Sequence, residues 1–80
     1  MLKVGDKVSW RGAWGTEDVI DVYVRGLSVT ELPRSKYGDH VSSVPWELIK
    51  QNRVVVSLST GNWAYANQIA PLGKDPSRWH

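Results

Sequence analysis

Two histidines, one short run of carboxylates and a surplus of tryptophan, tyrosine and arginine are the residues of this 80-residue chain whose chemistry could reach beyond its own fold. His40 lies in a polar stretch and His80 closes the sequence, so a nucleophile and base would have to be built from His40 and one of many serines, with no third group spaced to orient them. Glu17, Asp18 and Asp21 form the only acidic cluster. They lack the spacing of a calcium loop and have no histidine beside them, which reads as a solvated strand entrance. Neither RGAWG nor GLS has the glycine spacing followed by Lys-Ser or Lys-Thr that makes a phosphate loop. Cysteine is absent, which removes thiolate ligands, disulfides and a cysteine nucleophile. The expectation is a chain without catalysis, metal or cofactor.

Recognition chemistry is better represented. Five tryptophans and three tyrosines stand against no phenylalanine, a choice that favours rings whose N–H or O–H can reach water or a partner. Trp, Tyr and Arg are also the residues that dominate protein interfaces. Trp14 sits between Gly12 and Gly15 where little structure exists to bury it, and exposure is expected. Trp63 and Tyr65 alternate with Ala64 and Ala66. Either the aromatics or the alanines face inward, and alternation alone leaves both open. Arg11 could offer its guanidinium to a carboxylate or phosphate, or pair with Glu17 or Asp18 as an exposed strand-end arginine. The binding candidates are Arg11, Trp14, Trp63 and Tyr65, with Trp10, Tyr23, Arg25, Tyr37 and Arg53 behind them. Trp10 is divided between core and rim, and Tyr37 is expected to lay its ring over the fold.

These residues need a frame, and the chain reads as mainly β. KVGDKVSW is a turn and a strand with Val4, Val8 and Trp10 in one register. DVIDVYVRGLSVTEL is the strongest strand signal, with Ile20, Val22 and Val24 on one face. Gly26 then shifts the apolar phase to Leu27 and Val29, as a bulge or bend would. PRSKYGDH is a loop, and SSVPWELIKQN predicts one or two helical turns with Pro45 in the first turn, Trp46 and Ile49 buried, and Asn52 as the stop. RVVVSLSTGNWAYANQI predicts a hairpin with Val54, Val56 and Leu58 inward. A short turn and a last strand with Ile69 and Leu72 inward follow. GKDPSRWH is polar and reads as a frayed tail.

The order VGDKVSW, long bent strand, VVVSLSTGNWAYANQIAPL resembles small SH3-like barrels of the Tudor and KOW kind. That resemblance implies an all-β barrel of about five strands over residues 1–72, with a short helix in an inserted connection at 33–52 and a flexible tail at 73–80. The Tudor likeness implies an aromatic cage whose available walls are Trp10, Trp14, Tyr23, Trp63 and Tyr65. The KOW family's basic loop is missing, so RNA binding is not carried over. The chain also resembles the small open reading frames of phages and prophages, in which Trp-Arg-Gly near the start and Trp-Ala-Tyr near the end recur.

Ten basic and eight acidic residues are interspersed along the chain, a mild +2 balance with no basic stripe. A protein partner is therefore the first expectation. A nucleic acid or nucleotide stacked on the same rings is the second, and homo-oligomerisation through edge strands the third. MLKVGDKV shows no leader pattern, and no run of apolar residues approaches a membrane span, so a cytoplasmic location is expected.

Overall fold

The computed structural model describes residues 1–80 as a mainly β fold. The strands are β1 (Leu2–Lys3), β2 (Lys7–Trp10), β3 (Ile20–Val29), β4 (Asp39–Val41), β5 (Ser43–Val44), β6 (Val54–Leu58), β7 (Trp63–Tyr65) and β8 (Ile69–Pro71). Helix α1 (Trp46–Lys50) precedes β6, a single 3-10 turn (Ala66–Gln68) separates β7 from β8, and helix α2 (Pro76–Trp79) ends the chain.

The organising element is β3. Its first half pairs antiparallel with β2, Val22 opposite Val8 and Ile20 opposite Trp10. Its second half pairs with β6 and, on its other edge, with β4. The register slips between Val24 and Gly26, the bend that the phase change in the sequence predicts. The bend keeps Val22, Val24 and Leu27 all buried although a straight strand would turn one of them outward. The strand path runs β7-β6-β3-β2-β8, and a separate ladder joins β1 to β5.

The sheet is not closed, which corrects the expected five-stranded barrel. No ladder joins β7 to β8. Gln68 stands between them instead, its side chain accepting from Tyr65 N–H at 3.0 Å and its carbonyl accepting from Arg11 N–H at 3.0 Å. The expected insert at 33–52 is also more than a loop with a helix, because it supplies β4 and β5 as pairing partners for β3 and β1.

The chain turns away from helix α1 at Asn52, two residues past Lys50; Asn52 adopts φ 55° while its N–H donates to the Ile49 carbonyl and that of Arg53 to the Leu48 carbonyl. Asparagine tolerates this left-handed conformation better than most residues, so it closes so short a helix at low cost. Pro45 is the N-cap and not a first-turn residue. Ile49 is fully buried and packs with the sheet residues Val54, Val56, Leu58 and Ile69. Each such side chain contributes about 1.5–3 kcal/mol over remaining in water.

Three apolar residues fall outside this core against expectation. Val4 lies in the turn after β1, Ile20 opens β3 at the rim, and Leu72 follows the end of β8 in a turn closed by Lys74 N–H on the Pro71 carbonyl; all three are exposed.

The segment 73–80, expected to be a frayed tail, is folded onto the domain. Asp75 caps α2 by accepting from Ser77 N–H at 2.9 Å, and Pro76 is buried. Trp79 meets Trp46 edge to face, centroids 5.4 Å apart, with the Lys50 ammonium 4.0 Å from its ring centre. His80 Nε2 lies 3.0 Å from the Ala66 carbonyl and 2.9 Å from that of Ile69, so it carries the proton and donates to both. A polar string hides this docking because Pro76 and Trp79 find their partners far away in sequence. No helix is long and apolar enough to cross a membrane.

Candidate binding face

The hairpin of β6 and β7 settles which of its two alternating sets faces inward. Val56 pairs with Ala64 and both are buried; Val55 pairs with Tyr65 and Ser57 with Trp63 on the opposite side. Because side chains alternate along a strand, burying Ala64 sends Trp63 and Tyr65 outward together. Small alanines let β7 lie close over the buried cluster that also holds Ile49 and Ile69, which two large rings would overpack.

On the outer side Trp63 and Tyr65 form an edge-to-face pair, centroids 5.1 Å apart and planes at 84°. Trp63 remains 48% exposed. Each ring has a cation beside it: the Lys36 ammonium lies 5.5 Å from the Trp63 centroid, and the Arg34 guanidinium 6.0 Å from that of Tyr65. Both cations come from the 33–38 loop, which also brings Tyr37 alongside Trp63 and Val55 around a shallow depression of about 260 Å³. Tyr37 does not lie flat as expected. It stands out from the surface, 87% exposed.

Beyond Tyr65 the surface falls into a groove of about 230 Å³, lined among others by Arg11, Ala13, Arg34, Asn67 and Ser77. No acidic residue lines it. Its walls are tied by Asn52: the Asn52 carbonyl accepts from Arg34 N–H and its side-chain oxygen from Asn67 N–H, both at 3.0 Å. Arg34 itself sits at φ 61°, a left-handed conformation that a non-glycine residue holds only where its surroundings fix it.

Arg11 is mostly buried and pairs with Asp75 at 3.1 Å, not with the expected Glu17 or Asp18 carboxylate. The Glu17 backbone carbonyl does accept from Nη1 at 2.8 Å, and Gly15 from the same nitrogen at 3.3 Å. Arg11 Nε is sealed from solvent with no partner, as is Trp10 Nε1. The Ser77 N–H bond, aided by the Arg11 charge, holds the Asp75 carboxyl below its ordinary range. Desolvation pushes Glu17 up, but N–H donors of residues 17, 16 and 14 outweigh it and leave that carboxyl lowered too.

The remaining sequence candidates separate. Trp14 is 88% exposed on the 12–15 loop and makes no aromatic contact, although its neighbours Ala13 and Gly15 line the groove. Trp10 is half-buried against the core. Tyr23 and Arg25 point outward from β3, with Lys7 over the Tyr23 ring at 5.4 Å, and form no ring–ring or cation–π pair with Trp63 or Tyr65. Arg53 is absorbed by the fold, its Nε donating to the Thr30 carbonyl at 3.0 Å. Sequence reasoning missed Arg34, Lys36, Asn67 and Ser77. The proximity of Arg34 and Lys36 to Tyr37 in PRSKYGD was the one available signal.

His40 accepts or donates at 3.1 Å with Ser28 Oγ, its cross-strand neighbour, and no carboxylate is hydrogen-bonded to the imidazole. No three His, Asp or Glu side chains converge as a metal site would require. No known family matches the chain, and neither a curated protein nor a solved structure is similar to it.

Proposed function

We propose that the chain is a non-catalytic binding module that engages a partner protein through the outer face of β6 and β7 and the adjoining groove. One observation carries the reading: the hairpin turns its small residues to the core and its rings outward, Trp63 exposed and Tyr65 half-buried beside it, together with two cations that have no carboxylate partner. Exposed Trp and Tyr flanked by Arg are what protein interfaces concentrate at their energetic centres. An SH3-like ancestry fits this reading, because the path β7-β6-β3-β2-β8 has its two ends joined in sequence by one 3-10 turn. If the resemblance of the Trp-Arg-Gly and Trp-Ala-Tyr segments to phage and prophage small proteins holds, that partner is a host protein.

Base stacking fits the same face less well. Two bases laid on Trp63 and Tyr65 would lie nearly at right angles, since the rings do, and each ring already has a cation beside it. A single-strand platform presents successive faces along a basic track instead.

A photo-crosslinking amino acid placed at Trp63, and separately at Tyr23 as a control, tests the reading in host lysate. Protein adducts are expected from position 63 and not from position 23. Nucleic-acid adducts from 63, adducts only between copies of the chain, or the same adducts from both positions would overturn it.

A further inference from the structure

Of the cavities and charged clusters in the molecule, the groove beside Tyr65 carries the most chemistry beyond the face already described. Its two guanidiniums differ in their commitments. Arg11 spends Nη1 on two carbonyls and Nη2 on Asp75, the only ion pair in the molecule. Arg34 has no ion pair and no side-chain hydrogen bond, only the Tyr65 ring at 6.0 Å. An unpaired guanidinium whose backbone is fixed by the Asn52 carbonyl, at the wall of a concave groove with no carboxylate in its lining, is a fork awaiting two oxygens. Asn67 and Ser77 add polar side chains on the same walls.

The groove is continuous with the aromatic face through Tyr65, which lines it and also meets Trp63 edge-on. Trp63 and Tyr65, two residues apart on a strand, are separated by about 6.6 Å along the surface. An extended polypeptide crossing them would reach the groove about two to three residues beyond the one resting on Trp63.

Resting on the protein-binding reading above, we infer that the groove receives the carboxylate of an acidic side chain of the partner polypeptide, about two to three residues from an apolar side chain seated between Trp63 and Tyr37. Charge complementarity selects this occupant. Arg34 and Lys36 supply two free positive charges along the path and the groove supplies no negative one. A nucleic-acid strand would need a longer basic track than two cations provide.

The test is NMR titration of the whole chain with a capped peptide holding one leucine and two glutamates, and with the same peptide carrying glutamines. Inorganic phosphate and a short oligothymidylate are the competing probes. The glutamate peptide is expected to shift the Arg34 Nε–H, Tyr65 and Trp63 signals saturably. Arg34→Gln should weaken it at least tenfold and Arg25→Gln less than twofold, with an unmoved Trp79 indole signal confirming that both variants stay folded.

Equal binding of the glutamine peptide would overturn the carboxylate site while leaving the aromatic face standing. Equal weakening by both arginine variants would reduce the effect to diffuse charge. Tighter binding of phosphate or oligothymidylate would make the groove a phosphate site. Silence of Trp63 with both peptides, together with failure of crosslinking at 63, would remove the underlying reading as well.

Discussion

Two aromatic pairs in this molecule share nearly the same geometry and do different work. Trp46 and Trp79 meet at 5.4 Å and 71°, Trp63 and Tyr65 at 5.1 Å and 84°, and each pair has a cation alongside. The first pair pins α2 to α1 and packs against the buried cluster around Ile49. The second rests on the outside of a strand whose inner side is already filled by Ala64. Ring geometry therefore does not separate a pair built into the core from one left on the surface; what lies beneath the rings does.

The difference can be broken from the structural side first. Trp79→Ala removes the ring that holds the last turn of the chain against Trp46 and should lower stability by about 2–4 kcal/mol, measured by urea unfolding. Trp63→Ala should cost less than about 1 kcal/mol in the same assay, because half of that ring is already in water. Comparable losses for the two would erase the distinction.

Next in size is Gly38, where a Cβ would run into the Val29 carbonyl at the junction of the 33–38 loop with β4. Gly38→Ala should destabilise by about 1–3 kcal/mol. It should also displace Lys36 and Tyr37 enough to weaken crosslinking from position 63. Loss of stability with crosslinking unchanged would show that the loop is no part of the face.

The smallest effect separates the two regions by pH. Asp75 has a lowered carboxyl pKa in the folded chain, so its contribution is whole above the ordinary carboxylate range and is lost as the pH falls through the lowered value. Acid should therefore loosen α2, seen as a shift of the Trp79 indole N–H, before it disturbs Trp63. Simultaneous movement of both signals would mean that the regions do not act separately.

Much of the frame was legible in the sequence because it is written in local period. The bend at Gly26, the helix stop at Asn52 and the hairpin around Gly61 all follow from alternation and turn chemistry within a few residues. The orientation of Trp63 was not legible, since alternation gives two sets without saying which side holds Ile49. Long-range pairings were invisible for a related reason. Arg11 and Asp75 lie 64 residues apart, and nothing near Arg11 distinguishes Asp75 from the closer Glu17 and Asp18. The docking of 73–80 is not legible because a helix of four residues depends on docking for its stability and leaves almost no pattern of its own.

The measurement that tests the central claim most directly is the response of the five tryptophan indole N–H signals to the glutamate peptide. The Trp63 signal should move and saturate, while those of Trp46 and Trp79 stay in place. Movement confined to Trp14, or movement of Trp46 and Trp79, would contradict the assignment of the β6–β7 outer face as the surface that binds, as would no movement at all joined to failure of crosslinking at position 63.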